Sequence, residues 1–372
     1  MSVSENHPLT DRTTDNSRLV RAFRGQRPDV TPVWFMRQAG RSLPEYRRVR
    51  EGVGMIESCL RPDLAAEITL QPVRRHRVDA AVFFSDIVVP LRLAGVDVDI
   101  APGVGPVLGA PVRTADDVAR LEALDLTEEA LAPVREAVEL SVAGLAADPG
   151  ASGQGDTPLI GFGGAPFTLA AYLVEGRPSR DHLAARALMH ADPELWARLL
   201  TWCARVTGTF LVAQVRAGAS AVQLFDSWAG SLSLADYEAS VAPFSALALE
   251  GVHALDLGGA RVPVVHFGTG TGHLLEAMRD VGADVVGVDH RTPLDEASAL
   301  LGHRTPLQGN IDPALLFTPP ATLEAHVHDV LRRGLAAPAH VVNLGHGVPP
   351  DADPDVLTSV VRTVHEARVE ER

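Results

Sequence analysis

Short apolar runs alternate with longer stretches of mixed polarity along most of the chain. The short runs are rich in β-branched residues and nearly continuous in apolar character, which is typical of parallel strands covered on both faces. They are Val33–Met36, Ala80–Phe84, Leu159–Gly163, Ala221–Phe225, Val262–Phe267, Asp284–Val288, Thr305–Gly309 and His340–Leu344. The longer stretches carry apolar residues at helical spacing, most clearly Pro62–Val73, Glu194–Ala217, Leu274–Val281 and Leu323–Leu335. The pattern therefore predicts strands and helices in alternation.

Alternating strands and helices predict an α/β protein. Eight strand–helix units in 372 residues favour a single (β/α)8 TIM barrel, with a doubly wound open sheet as the main alternative. The active-site cleft of such a barrel lies at the C-terminal ends of its strands. We expect the barrel to occupy residues 18–372 as one catalytic domain, after a disordered lead over residues 1–17. The Gly- and Ser-rich insert Asp148–Pro158 is expected to be an exposed loop.

The overall composition narrows the range of partners. Apolar residues make up 46% and charged residues 22% of the chain, which is ordinary for a globular protein. No stretch approaches the roughly 20 apolar residues of a membrane span, and residues 1–17 lack the apolar core of a signal peptide. The net charge of −14 argues against binding to nucleic acid or an anionic membrane. We therefore expect a cytoplasmic protein that binds neither.

Lysine is absent from the sequence, so all 33 basic residues are arginine. No side chain can therefore form a Schiff base with a carbonyl substrate or with pyridoxal phosphate, and a phosphate-binding loop of the Walker type lacks its lysine. The two cysteines, Cys59 and Cys203, lie far apart in surroundings of helical pattern. They are expected to be buried thiols and not part of a disulfide or a metal cage.

Arginine is concentrated after the first predicted strand. Residues 37–50 contain five, namely Arg37, Arg41, Arg47, Arg48 and Arg50. The planar guanidinium donates two parallel hydrogen bonds and therefore suits a carboxylate. Arg37 and Arg41 directly follow a buried strand, which favours ligand binding, whereas Arg47 and Arg48 favour a solvated helix surface. Such a cluster in an acidic protein points to a polyanionic small molecule as the substrate.

Polar residues also follow other strands. Asp86 stands among apolar residues in VFFSDIVVP, where a carboxylate is costly unless it is used, caps a helix or pairs with an arginine. Tyr172, in GFGGAPFTLAAYLVEG, offers a phenol, although a helix tyrosine is more often part of the core. Ser227, in QLFDSWAG, lacks a GxSxG elbow, which favours substrate binding or helix capping over a nucleophilic role. The position of His346 between two glycines indicates a ligand contact or a structural hydrogen bond.

Taken together, these segments resemble the uroporphyrinogen decarboxylases. The stretch PVWFMRQAGR, residues 32–41, is similar to the first signature of that family. The stretch GFGGAPFTLAAYLVEG, residues 161–176, is similar throughout to the second. FSDIVVP, QLFDSWAG, GNIDP and NLGHG stand in the same order as the family's segments at the barrel mouth. The resemblance covers residues 18–366.

The resemblance implies a (β/α)8 barrel that forms a homodimer and uses neither a metal nor a cofactor. It implies decarboxylation of the four acetate side chains of uroporphyrinogen III to methyl groups, giving coproporphyrinogen III in haem biosynthesis. The functional residues of the family match Arg37, Arg41, Asp86, Tyr172, Ser227 and His346, and Arg50 matches a further arginine near the cleft. We expect Asp86, Arg37 and Tyr172 to be catalytic, and the whole set to bind substrate.

Three other functions remain open. Corrinoid or thiol methyltransferases share this barrel, but they resemble zinc enzymes with His and Cys ligands, and this chain has no His-x-Cys pair. HFGTGTGHLL, residues 266–275, followed by Asp289, suggests a nucleotide or S-adenosylmethionine site, although a lone glycine pattern is a weak signal. A porphyrin carrier without activity is the third, and a turnover assay separates it from an enzyme.

Overall fold

The computed structural model describes residues 7–367 of the chain. Its strands are β1 (Ala81–Val82), β2 (Val98–Ala101), β3 (Gly105–Leu108), β4 (Leu159–Gly164), β5 (Ala221–Phe225), β6 (Val264–Phe267), β7 (Val285–Gly287), β8 (Leu307–Gln308) and β9 (His340–Val341). Seven of them pair in parallel in the order β1-β4-β5-β6-β7-β8-β9 and curl into half a barrel, while β2 and β3 form a separate antiparallel hairpin. This topology confirms the predicted α/β class and the second to eighth predicted strands.

Helices connect the strands and cover the outside of the sheet. They are α1 (Arg18–Phe23), α2 (Pro44–Val49), α3 (Met55–Leu60), α4 (Pro62–His76), α5 (Val89–Leu93), α6 (Ala115–Glu122), α7 (Ala132–Ala147), α8 (Pro166–Glu175), α9 (Leu183–Ala191), α10 (Pro193–Arg216), α11 (Leu234–Ser240), α12 (Ala242–His253), α13 (Leu275–Asp280), α14 (Leu294–Leu300), α15 (Pro320–Gly334) and α16 (Pro354–Glu366). The four helical stretches that the sequence shows most clearly are confirmed as α4, α10, α13 and α15. Among residues 7–367, no helix is long and apolar enough to cross a membrane.

The first predicted strand, Val33–Met36, is reduced to a single bridge between Val33 and Val342. On this side, the Trp34 amide donates to the carbonyl of Val342 (3.2 Å). On the other side, the Asp79 amide donates to the carbonyl of Val33 (2.8 Å). The extended segment therefore lies between the chain after β9 and the chain before β1. It ends early because the Phe35 amide donates to the side chain of Gln38 and not to a neighbouring strand.

A row of hydrogen-bonded side chains crosses the interior of the sheet. The indole of Trp34 donates to Gln308 Oε1 (3.1 Å), and Gln308 Nε2 donates to Gln223 Oε1 (2.9 Å). All three side chains are buried, and each uses its polar atoms on the next, so that little hydrogen-bonding capacity is lost on burial. The row connects the segment before β1 with β8 and β5, and it fixes the strand ends relative to one another.

Residues 7–17 differ from the disordered lead that the polar sequence suggests, while residues 1–6 lie outside the described part of the chain. His7 is buried, and its Nε2 lies 2.9 Å from the carbonyl oxygen of Val215 at the end of α10. Leu9 is also buried, and the hydroxyl of Thr14 bonds that of Ser220 (2.8 Å). The polar sequence suggested disorder, but its buried polar groups have hydrogen-bond partners: His7 and Thr14 bond Val215 and Ser220, and Ser17 caps α1.

Two smaller expectations have different outcomes. Both cysteines are buried and free, as expected. The insert Asp148–Pro158 forms a series of turns that is only partly exposed, because Thr157 is buried and the carboxylate of Asp148 is held by Arg77 (3.0 Å). The turns lie at the N-terminal end of β4, away from the strand ends that carry the predicted site.

Candidate active site

Gln38 shapes the loop that carries Arg37. The fully buried Gln38 side chain accepts a hydrogen bond from the Phe35 amide (3.0 Å) and donates one to the carbonyl of Ala80 (3.0 Å). Within this tight loop, Arg37 has a left-handed backbone, with φ of 61°. That conformation costs a non-glycine residue roughly 1–2 kcal/mol and occurs mainly where the surrounding structure enforces it, often at functional sites. Sequence reasoning singled out Arg37 but assigned no role to Gln38.

The exposed side chain of Arg37 lies against the backbone of Gly347, next to His346. A Cβ atom added at Gly347 would come within 2.5 Å of Arg37 Cδ and 2.8 Å of its Cγ. Only a glycine leaves room for the arginine at this distance. The structure therefore brings together the first and last predicted site segments, which are more than 300 residues apart in the sequence.

Asp86 follows β1 and is enclosed by protein, although part of its surface stays open. Its Oδ1 accepts a hydrogen bond from the Val88 amide (3.1 Å) and caps the turn before α5. Among the described residues, it forms no ion pair, and its Oδ2 has no hydrogen-bond partner. Burial raises the pKa of the Asp86 carboxyl, and the Val88 amide and the positive charge of Arg37 oppose this change. One carboxylate oxygen of Asp86 thus caps the turn, and the other is available to a ligand.

Tyr172 lies on α8 and is 8% exposed. Its ring makes an edge-on contact with Trp228, with the ring centroids 5.9 Å apart. Burial raises the pKa of the phenol to about 12, and the negative charge of Asp86 adds to the rise, while Trp228 and Arg37 oppose it. Tyr172 is therefore a protonated hydrogen-bond donor at neutral pH. The charges of Asp86 and Arg37 both act on this phenol, so that the three predicted catalytic residues influence one another electrostatically.

His346 and Ser227 complete the rim. Nδ1 of the exposed His346 accepts a hydrogen bond from the Gly347 amide (2.8 Å), so that the proton of the neutral ring is on Nε2. Although the His346 side chain reaches solvent, the surrounding protein partly desolvates its ring and lowers its pKa, and the charge of Arg37 lowers it further, which keeps the ring neutral at pH 7. The carbonyl of Ser227 accepts from the Thr269 hydroxyl (2.8 Å). The Ser227 hydroxyl has no partner among residues 7–367 and can bind a ligand.

The remaining arginines fall into two groups. Arg41, Arg47 and Arg48 are exposed, and none forms an ion pair within the described chain. For Arg47 and Arg48, this exposure confirms the predicted solvated surface. Arg50 instead directs three nitrogens at internal acceptors: Nε donates to the Ser58 hydroxyl (2.9 Å), Nη2 to the Val53 carbonyl (3.1 Å) and Nη1 to the Tyr46 hydroxyl. Much of its hydrogen-bonding capacity is therefore used inside the protein.

Comparison with known proteins identifies the family. The sequence profile of uroporphyrinogen decarboxylase, URO-D, matches residues 14–367. The chain belongs to the uroporphyrinogen decarboxylase family. The uroporphyrinogen decarboxylase of Arthrobacter sp. strain FB24 is 66% identical over 355 residues, which cover 95% of this chain and 98% of that protein. That of Leifsonia xyli subsp. xyli strain CTCB07 is 60% identical over 378 residues, covering 98% of each chain. These matches confirm the resemblance that the signature segments indicate.

The fold is shared more widely than the sequence. A methyltransferase from Methanosarcina mazei superposes with a TM-score of 0.76 over 95% of this chain and 98% of that protein, at 19% sequence identity. At this identity, the similarity concerns the fold alone. Within residues 7–367, no three His, Cys, Asp or Glu side chains form a group that could hold a metal ion.

Because the chain belongs to this family, the contact between Arg37 and Gly347 can be tested by measuring decarboxylation. In Gly347→Ala, the new methyl group should displace the Arg37 side chain and lower kcat/KM by roughly tenfold, the order expected for loss of one charge-assisted hydrogen bond. Gly54→Ala is the matched control, because an added Cβ there meets no atom within 4 Å. Steady-state kinetics on both variants, with melting curves, test this. Equal kcat/KM in the two variants would show that Arg37 need not lie across residue 347.

A buried polar cluster that the sequence did not reveal lies directly behind Ser227. Asp226 is fully buried, and its Oδ1 accepts a hydrogen bond from the hydroxyl of Thr168 on α8 (2.9 Å). Its Oδ2 lies 3.7 Å from Nε2 of His266. The hydroxyl of Tyr237 is also buried nearby, and burial and the charge of Asp226 raise its pKa. The cluster joins four elements behind the site, and no spacing in the sequence predicts that they meet.

The glycine-rich segment at residues 266–275 is already bonded within the protein. The carboxylate of Asp289, which a nucleotide site would direct at a ribose, accepts a hydrogen bond from the Gly270 amide (2.6 Å). The same oxygen accepts from Arg291 Nη1 (2.5 Å). His266, at the start of the segment, is fully buried. These contacts argue against a nucleotide or S-adenosylmethionine site in this loop.

Proposed function

We propose that this protein is a carboxy-lyase that converts the four acetate side chains of uroporphyrinogen III to methyl groups, giving coproporphyrinogen III in haem biosynthesis. Both curated relatives described above carry the name of this activity. The observation that carries the proposal is the arrangement of Asp86, Arg37 and Tyr172 at one end of the sheet. It combines an available carboxylate oxygen, a cation and a hydroxyl donor, which a polyanionic substrate with pyrrole N–H groups requires.

The substrate itself can accept the electrons that decarboxylation releases. A proton added to a pyrrole α-carbon makes the ring a cationic iminium. The bond from the acetate CH2 to its carboxylate then breaks, CO2 leaves, and the electron pair neutralises the ring as an exocyclic methylene. A second proton converts the methylene to methyl, and loss of the first proton restores the pyrrole. Each cycle releases one CO2 and consumes one proton, so that the enzyme needs to supply protons and to stabilise a cation.

The chain's residues suit these tasks. Asp86, when ionised, accepts hydrogen bonds from pyrrole N–H groups and stabilises the cationic ring. Arg37 acts on the acetate carboxylate, and Arg41 binds another carboxylate of the substrate. Tyr172, Ser227 and His346 anchor side chains by hydrogen bonds. Arg50 contributes less to substrate binding than the other residues of this set, because its internal contacts leave it fewer free N–H groups. With no lysine for pyridoxal phosphate, we propose that the reaction needs no cofactor.

Anaerobic turnover in the presence of EDTA tests the proposal. The purified protein, treated with EDTA and dialysed, should convert uroporphyrinogen to coproporphyrinogen at the untreated rate, because no metal takes part in the steps above. Chromatography of the oxidised porphyrins follows all four losses of CO2. Activity that chelation removes and zinc restores would contradict the mechanism and favour a methyltransferase-like metal enzyme.

We also propose that the half-barrel is one side of a closed (β/α)8 barrel that begins at residue 18; residues 368–372 of the predicted domain lie outside the described part of the chain. The hydrogen bonds that Val33 and Trp34 make to Asp79 and Val342 support closure through the first strand segment. By family resemblance, the protein is a cytoplasmic homodimer. Sedimentation at the 39.5 kDa mass of a single chain would contradict the dimer.

A further inference from the structure

His346 lies between two glycines, and each glycine leaves room for another segment with basic residues to approach. Gly347 lies against the Arg37 side chain, as described above. Gly345, on the other side, lies against the backbone of His290, and a Cβ added there would come within 2.2 Å of the His290 nitrogen. The chain after β7 therefore touches the chain after β9 next to His346. This contact brings Arg291, which directly follows His290, to the same rim.

Arg291 is held so that part of its guanidinium remains free. Its Nη1 bonds Asp289 Oδ2 (2.5 Å), and its backbone amide bonds Asp289 Oδ1 (3.0 Å). Asp289 is 1% exposed at its side chain, whereas the Arg291 side chain is 61% exposed. Nε and Nη2 of Arg291 have no partner among residues 7–367. A buried carboxylate thus fixes one side of the guanidinium, and the other side can receive a second carboxylate in the paired geometry that arginine favours.

The charges at this rim act on one another. The pKa of His346 is lowered first by burial and then by Arg37, and His290 and Arg291 lower it further. This effect of Arg291 on His346 agrees with the contact between Gly345 and His290, which brings the two segments together. Together with Arg37, Arg291 provides positive charge on both sides of a neutral histidine whose Nε2 carries a donor hydrogen.

We propose that Arg291 binds a propionate carboxylate of the macrocycle, with His346 beside it. The inference rests on the proposed function and deepens it. Uroporphyrinogen carries four propionates besides its four acetates, and Arg37 and Arg41 alone cannot pair with all of them. The acetate that reacts must lie near Asp86. A propionate is longer and is not consumed, so that an exposed arginine at the rim suits it better than an acetate.

Binding of the product distinguishes a contact to a propionate from a contact to an acetate, because coproporphyrinogen retains only its propionates. In Arg291→Gln, the Kd for coproporphyrinogen, measured anaerobically by titration calorimetry, should rise roughly five- to tenfold. The KM for uroporphyrinogen should rise by the same factor, with kcat little changed. Arg332→Gln is the matched control: Arg332 is 63% exposed and paired with Asp329, but it lies at the end of α15 that leads to the N-terminal side of β9. Both constants should be unchanged there.

A charge-preserving variant controls for displacement of the loop, because Arg291→Gln also removes a hydrogen-bond partner of Asp289. Arg291→Lys keeps the positive charge but not the paired geometry, so its Kd for coproporphyrinogen should lie between those of the wild type and Arg291→Gln. Equal weakening in the Lys and Gln variants would mean that the charge contributes nothing and that the loop has moved, and would overturn the proposal. A raised KM for uroporphyrinogen with an unchanged Kd for coproporphyrinogen would overturn it too, since the contact would then be to an acetate. Wild-type protein that neither binds coproporphyrinogen nor turns over uroporphyrinogen would contradict the proposed function instead.

Discussion

Asp86→Asn is expected to fold normally and to lose most decarboxylation at each of the four acetates. An ionised carboxylate is an acceptor only, with roughly four lone-pair sites on two oxygens. Uroporphyrinogen is flexible and carries an N–H donor on each pyrrole, so that one carboxylate can gather all four and fold the macrocycle into a dome. The same charge then lies beside whichever ring becomes cationic. Removing such electrostatic stabilisation lowers kcat by about 100-fold or more.

The structure explains why this variant should keep its fold. The Oδ1 atom of an asparagine can still accept the hydrogen bond from the Val88 amide, so that the turn before α5 is preserved. The amide group that replaces the free oxygen, however, would face N–H donors of the substrate. Asp86→Gly removes the turn contact as well, and it should therefore combine lost turnover with weaker binding of coproporphyrinogen.

The melting temperature provides the control for Asp86→Asn. Burial raises the pKa of Asp86 in the folded protein, so that ionising it costs stability. This loss is absent below the ordinary carboxyl pKa, develops as pH rises, and is complete above the raised pKa. The variant should thus melt at the same temperature as wild type, or higher, at pH 7, with no difference in strong acid. A well-folded Asp86→Asn protein with a near-normal rate at all four steps would show that another group stabilises the cation.

Hydrophobic periodicity predicted the strands of the sheet well, because parallel strands buried on both faces leave nearly continuous apolar runs. It failed at Val33–Met36, which is equally apolar. There, the Gln38 side chain takes the Phe35 amide out of the ladder, and Arg37 turns into a left-handed conformation. A competition between one side chain and a neighbouring strand for a single N–H group leaves no trace in a pattern of apolar residues.

The candidate site could be predicted where it depends on residue type next to a strand end, as for Arg37, Asp86 and His346, whose roles in function stay predictions. It was not predictable where function depends on contacts between distant segments. No pattern around Arg50 shows that its nitrogens are used by Ser58, Val53 and Tyr46. Likewise, the glycines beside His346 suggest a special position, but only the structure shows that one of them makes room for Arg37.

Arg37→Ala should impair decarboxylation far more than Arg47→Ala. Both arginines are exposed, and neither forms an ion pair among residues 7–367. Their surroundings differ: Arg37 lies at the strand ends, where its charge acts on Asp86, Tyr172 and His346, whereas Arg47 lies on α2. A lost charge-assisted contact to a carboxylate is worth about 1.5–3 kcal/mol, so that kcat/KM for Arg37→Ala should fall at least about tenfold.

Matched measurements on the two alanine variants make this comparison decisive. Each removes one exposed positive charge, so that any general effect of net charge on the encounter with an anionic substrate is the same in both. Arg37→Ala also keeps the Gln38 contacts that shape its loop, and its melting temperature should stay close to that of wild type. The difference in kcat/KM between the two variants then measures how much the position of Arg37 contributes beyond its charge. Equal losses in the two variants would mean that Arg37 acts only through the overall field, and that the substrate binds elsewhere.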